Sequence, residues 1–174
     1  MKENMENLNI KQFEPLAQEL EKEKYILNKS ADELFQQYLK GLSKILVKEN
    51  KIIGHLSLWK YPDSEIYEVG TAWVEKKFRG QGVITNMFIE LLDEHQGKNI
   101  FAVTTNIKMV KILMEKVKMD LIYKDSLSQE VEKTLCFCGP DVTCDFENQG
   151  ICKIAHKPGV VREGECYIFT NKKK

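Results

Sequence analysis

The sequence predicts an α/β fold in which strands and helices are interleaved along most of the chain. Three observations predict it. Glu68 to Leu92 reads strand, tight basic turn, helix; Lys44 to Trp59 reads as two strands about a polar turn; and Ile100 to Thr104 is a continuous apolar run, the sign of a buried strand, followed by a helical pattern. At 174 residues, 43% of them hydrophobic, the chain is long enough for one domain with a real core. Lysine plus arginine and aspartate plus glutamate both number 26, so no overall field favours nucleic acid or an anionic membrane. The first twelve residues hold no apolar signal core, and no run approaches the length of a membrane span. The expectation is a cytoplasmic protein without a nucleic-acid or membrane partner; a homodimer is left open.

Taken in order, Phe13 to Lys24 and Ala31 to Leu42 are predicted helices. Ser30 with Glu33 three residues on makes a capping box for the second, whose buried stripe is Leu34, Tyr38 and Leu42. Tyr25 to Leu27 fits a short strand or a loop. Lys44 to Val47 and Ile52 to Trp59 are strands joined at Lys48-Glu49-Asn50-Lys51, a hairpin. In the second strand Ile53, His55, Ser57 and Trp59 share one face, and Ile52, Gly54, Leu56 and Leu58 the other. His55 titrates near neutrality in water and fits an acid or base, but a lone histidine brings no partner with it, and a satisfied histidine within the sheet is the preferred reading.

The chain is organised around Glu68 to Leu92. Glu68, Gly70, Ala72 and Val74 are expected on one strand face, with Val69, Thr71 and Trp73 on the other. Arg79-Gly80-Gln81-Gly82 breaks the strand, and Val83, Ile84, Met87, Phe88, Leu91 and Leu92 then form the apolar stripe of a helix. A glycine turn opening a helix leaves backbone N–H groups aimed outward in the positive end of the helix dipole, a place that binds phosphate. Lys76, Lys77 and Arg79 add charge suited to a di- or triphosphate. A dinucleotide fingerprint needs a third small residue where Thr85 or Asn86 stands, and a P-loop needs Lys-Ser/Thr after Gly82; neither fits.

Arg79-Gly80-Gln81-Gly82-Val83-Ile84 does resemble the pyrophosphate loop of the GNAT superfamily of acyl-CoA-dependent N-acyltransferases, Gln/Arg-x-x-Gly-x-Gly/Ala. Arg79 and Gly82 match, and Ile84 departs from the usual small residue. Val74, five residues before Arg79, the strand Asn99 to Thr104 and a helix from Asn106 follow the family's order, so the resemblance covers Leu42 to Tyr123. It implies a mixed, mostly antiparallel central sheet flanked by helices, over a single domain at 1–174 with a cysteine-containing extension or insertion at about 130–164. It further implies acetyl-CoA as cosubstrate, with the pyrophosphate on Arg79, Gly80, Gln81, Gly82, Val83, Ile84 and Thr85, and strand-edge amides near Trp73, Val74 and Glu75 holding pantetheine. The pantetheine arm inserts beside the fifth strand as a pseudo-strand. Asn106 matches the family's asparagine at the next helix start, where it contacts pantetheine or phosphate; it is equally a competent N-cap. The plain alternative for the whole loop is a strand-to-helix connection that uses glycine for tight geometry.

Glu68, six residues before Val74, stands where histone-acetylating members carry a general base, and an amine protonated at neutral pH must lose a proton before attacking a thioester. The alternative is a solvated strand glutamate near Glu65. The tyrosine that family members place about seven positions into the helix after Asn106, to protonate the leaving thiolate, is here Leu113 or Met114; Tyr123 is the nearest substitute. The implied activity is acetyl transfer to a primary amine, on a small molecule or a peptide or protein. The departures at Ile84 and at 113–114 support a rival from another class, a non-catalytic acyl-CoA-binding or regulatory protein.

All five cysteines, Cys136, Cys138, Cys144, Cys152 and Cys166, lie after residue 135. With His156 they supply enough ligands for a tetrahedral zinc and hence for a zinc-dependent interaction module. The Cys-x-Cys spacing is not the usual knuckle, so small buried hydrophobes near a last strand, Glu165 to Thr170, are the preferred reading and no metal ligand is assigned.

Overall fold

The structure, a computed structural model, describes residues 8–23, 26, 28–122, 146–147, 151–152 and 166–172. It is a mixed α/β arrangement whose strands are mostly antiparallel, with flanking helices. Two compact units divide the chain: residues 1–59 with 70–94, and residues 60–69 with 95–174.

In the first unit, α1 is Ile10–Glu21 and α2 is Ala31–Leu39. The first helix starts three residues before the expected Phe13 because Asn9 and Gln12 form a capping box, with Lys11 N–H on Asn9 Oδ1 at 3.1 Å. Pro15 lies inside it, where a proline forfeits one intrahelical bond. The Ser30–Glu33 box starts α2 as expected, Ser30 N–H donating to Glu33 Oε2 at 2.9 Å. It ends short of Leu42. Gly41 at φ +66° lets Leu42 N–H reach Gln37 O and Gly41 N–H reach Tyr38 O, two bonds that close the helix and leave Leu42 beyond it, half-buried.

Strands β1 (Ser43–Lys48) and β2 (Lys51–Lys60) form the expected hairpin. Glu49 and Asn50 both take positive φ, the pattern of a two-residue turn that matches strand twist. The β1–β2 register shifts between Leu46 and Val47, where Leu46 faces Gly54 and Val47 faces Ile52. The extra residue exchanges the faces expected at the start of β2. Ile52 joins Trp59 among Phe13, Leu16, Leu20, Leu34, Ile45 and Trp73 in the core beneath α1 and α2.

Strand β3 (Ile66–Val74) runs through both units. Thr71 sits at φ +51° within it. An added Cβ on Gly70 would lie 2.9 Å from the Trp59 ring, so Gly70 faces Trp59, and Trp73 packs in the same cluster as Trp59. Residues three apart share a face only if one between them is extra. Thr71 is therefore a bulge, and it corrects the expected faces: Glu68 and Gly70 lie with Trp73, and Val74 turns to the opposite side. Helix α3 (Val83–Glu94) buries Met87, Phe88 and Leu91 as the stripe predicts.

The second unit pairs β3 in parallel with β4 (Asn99–Thr104), from Ile66 opposite Asn99 to Val69 opposite Ala102. Helix α4 (Ile107–Lys111) continues as a π-helical turn, Ile112–Val117, closed by Lys118 at φ +63°. Val110 and Leu113 are buried, while Ile107 and Met114 face solvent. Strand β5 is Asp120–Leu121, β6 Phe146–Glu147, β7 Ile151–Cys152 and β8 Cys166–Thr170; β8 pairs antiparallel with β4, β5 and β7, and β6 with β7. Cys136, Cys138, Cys144, His156 and Tyr123 lie outside the described residues, and among those described no cluster suited to a metal occurs. No described helix is long and apolar enough to cross a membrane.

Candidate functional site

In the first unit, β3 ends at Val74, Lys76–Phe78 form one 3-10 turn, and Gly80 and Gly82 follow at φ +78° and +77°. Glycine is chosen here for conformation, because a Cβ at either position would meet nothing within 4 Å. Asn86 N–H bonds Gly82 O, so Gly82 begins the helix, and the N–H groups of Val83, Ile84 and Thr85 have no intrahelical acceptor. The sequence-predicted residues Trp73, Val74, Glu75 and Arg79 to Thr85 are thus brought together on one strand, turn and helix start. Glu75 N–H donates to Ile53 O at 2.9 Å and anchors the strand end to β2.

Two cations of the turn, Arg79 and Lys77, are already engaged. Arg79 Nε donates to Val74 O at 2.8 Å and its terminal nitrogen pairs with Glu23 at 2.5 Å, so its side chain braces the turn against the strand end and against the chain following α1. Lys77 Nζ stands 3.3 Å from Glu75 and over the Phe78 ring, beside a cavity of about 360 Å³ lined by Lys48, Glu49, Lys51, Ile53, Lys77 and Phe78. Burial raises the Glu75 carboxyl, but hydrogen bonds from Lys77 and Lys51 outweigh it and hold the group below its ordinary value. What the turn presents to an anion is backbone N–H groups and the exposed Lys76.

His55 is fully buried in the same unit. Its Nδ1 lies 3.2 Å from Thr71 O and its Nε2 3.1 Å from Ser57 Oγ, which lies 2.6 Å from Ser43 Oγ. A carbonyl can only accept, so we assign Nδ1 as the protonated nitrogen and the Ser57 hydroxyl as donor to Nε2. Desolvation lowers the imidazole to about 4, opposed by the bond to Thr71. This is the satisfied histidine of the preferred reading.

In the second unit, Tyr61, buried at the start of the β2–β3 connection, donates its hydroxyl to Glu68 Oε2. Glu68 is half-buried and held by a hydrogen bond, which departs from the solvated-glutamate alternative. Asn106 caps α4, accepting Lys108 N–H at 3.0 Å. Leu113, at the helix position of the family's tyrosine, is fully buried. Sequence reasoning missed Tyr61, Glu23 and the Thr71 bulge. The polar Tyr61-Pro62-Asp63-Ser64 turn signalled the first, since a short turn brings the end of β2 beside the start of β3; the other two leave no local signal.

The strand, the glycine turn and the helix start lie within a mixed sheet of an α/β protein. Residues 3–112 match the model of the acetyltransferase (GNAT) family, and since this is well over half of the chain, the protein belongs to that family. The match begins earlier than the resemblance read from the motifs and stops before Tyr123. No curated protein matches. Among solved structures, yncA of Salmonella typhimurium with acetyl-CoA is similar at TM-score 0.61 and 12% identity, with 95% of this chain and 90% of that one covered. N-acetylglutamate synthase of Neisseria gonorrhoeae with coenzyme A and N-acetyl-glutamate is similar at TM-score 0.60 and 15% identity over 97% of this chain, which spans 34% of the synthase. Diaminobutyrate acetyltransferase EctA of Paenibacillus lautus, with its substrate and coenzyme A, is similar at TM-score 0.57 and 16% identity, covering 95% and 92%. At these identities the likeness is one of fold.

Proposed function

We propose that the protein transfers an acetyl group from acetyl-CoA to a primary amine by direct attack within a ternary complex. The observation that carries the reading is the turn at Gly80 and Gly82, open above both glycines and followed by three N–H groups without intrahelical acceptors. Those amides suit the pyrophosphate of CoA, and the backbone at Trp73, Val74 and Glu75 suits the pantetheine arm and the thioester carbonyl. The amine nitrogen attacks the thioester carbon, the C–S bond breaks and CoA leaves as thiolate. Glu68, held by Tyr61, takes the amine's proton directly or through a water. Tyr123 is the group assigned to protonate the thiolate. The acceptor is a small-molecule amine of amino-acid type, by analogy with the substrate bound to EctA, or else a peptide or protein amine, and the site of action is the cytoplasm.

The reading is tested by thiol release from acetyl-CoA against a panel of polyamines, aminoglycosides, amino acids and lysine peptides. Release that depends on one amine class supports it. Tight acetyl-CoA binding with no release for any amine favours the non-catalytic acyl-CoA-binding alternative, which Ile84 and the buried Leu113 favour.

A further inference from the structure

The buried polar side chains among the described residues are Ser43, His55, Ser57 and Thr71. They form one chain of contacts, from Ser43 through Ser57 and His55 to the carbonyl of Thr71. Burying such a network without need is costly, and a fully satisfied one specifies a unique local arrangement. What it specifies here is the bulge. Thr71 is β-branched and sits at φ +51°, a conformation that side chains of this type avoid. Three interactions converge on it: Nδ1 of His55 on its carbonyl, Nε1 of Trp59 on its hydroxyl at 3.4 Å, and its own hydroxyl on Gly70 O at 2.8 Å.

The bulge determines how β3 ends. A strand without the extra residue would slip by one position, sending Trp73 to the opposite face and changing which amides Trp73, Val74 and Glu75 present. We propose that His55 is a positioning residue for the acyl-CoA site: it holds the Thr71 bulge, and through it the strand end that receives the pantetheine arm. The inference rests on the acyl-CoA reading of that strand end. His55 is closed in by protein and acts only through Thr71, so it touches no substrate.

The test is calorimetric titration of acetyl-CoA into wild type, His55→Asn, His55→Leu, Thr71→Gly and the double variant His55→Leu/Thr71→Gly, with melting curves in parallel. His55→Asn places an amide near Nδ1 and retains the donor, so it binds within about threefold of wild type. His55→Leu removes the side-chain bond to Thr71 O and weakens binding about tenfold or more. Glycine takes positive φ without strain, so Thr71→Gly in the His55→Leu background restores most of the lost affinity. If Leu at position 55 fails to fold, His55→Gln, whose amide sits one bond further out than Nδ1, replaces it with the same expectation. A purely structural histidine would lower the melting temperature, leave affinity unchanged and show no rescue by Thr71→Gly; any of these affinity results overturns the proposal. Absence of binding by wild type overturns the acyl-CoA reading and this inference with it, whereas wild-type binding that His55→Leu leaves intact overturns this inference alone.

Discussion

His55 shows how burial sets a single residue's chemistry. Its imidazole is held neutral, with the protonation equilibrium lowered from 6.5 to about 4. The unfolded chain takes up a proton below pH 6.5 that the folded chain refuses until about 4, so stability falls as pH drops through that window. The loss is about 1.4 kcal/mol per pH unit and about 3 kcal/mol in all. Urea unfolding at pH 7 and pH 5 should show it, and His55→Asn should flatten the difference; an unchanged slope in that variant would assign it to other groups. Glu68 makes the second residue-scale prediction. Glu68→Gln keeps the shape and cannot take a proton, so turnover should fall by about 10²-fold while acetyl-CoA affinity stays near wild type. The deficit should shrink as pH rises and free amine accumulates. Wild-type turnover in the Gln variant at neutral pH would leave positioning alone to account for the rate.

Among the elements, the turn before α3 makes the sharpest prediction. Alanine at position 82 meets no protein atom, so its cost to stability is conformational, about 1 kcal/mol for φ near +77°. Its methyl group projects into the open space over the helix start, so acetyl-CoA affinity should fall by more than that stability loss would suggest, measured by melting and calorimetry side by side. Equal, small changes in both would mean that no ligand approaches Gly82 closely.

The elements also show what the sequence makes legible. The Ser30–Glu33 box, the α3 stripe and the strand–turn–helix unit could be read because capping, helical period and glycine placement are local signals. The Asn9–Gln12 box was equally local, and it starts α1 three residues before the expected Phe13. Gly41 stopped α2 before Leu42 by a left-handed closure that was available in the sequence. The register shift at Leu46 and Val47 and the Thr71 bulge depend on neighbours distant in sequence, and threonine carries no local preference for φ +51°. At the candidate site, the glycine turn was legible for the same local reasons. Tyr61 on Glu68 and Glu23 on Arg79 were not, because each contact needs the folded chain.

For the molecule as a whole, family membership and fold are shown by the match over residues 3–112 and by the similar solved structures. The acceptor is set by surfaces that no motif describes. The cosubstrate is the part of the account that chemistry names most directly, because a neutral chain with 26 acidic and 26 basic residues concentrates free helix amides and two left-handed glycines at one turn. The most direct measurement is therefore titration of acetyl-CoA into the wild-type protein and into Gly82→Pro, whose ring cannot adopt φ +77° and removes a donor. Wild type should bind in the micromolar range, about −8 kcal/mol, and the proline variant should remain folded with binding lost or weakened at least tenfold. No heat for any acyl-CoA with wild type, or undiminished affinity in Gly82→Pro, would contradict the account.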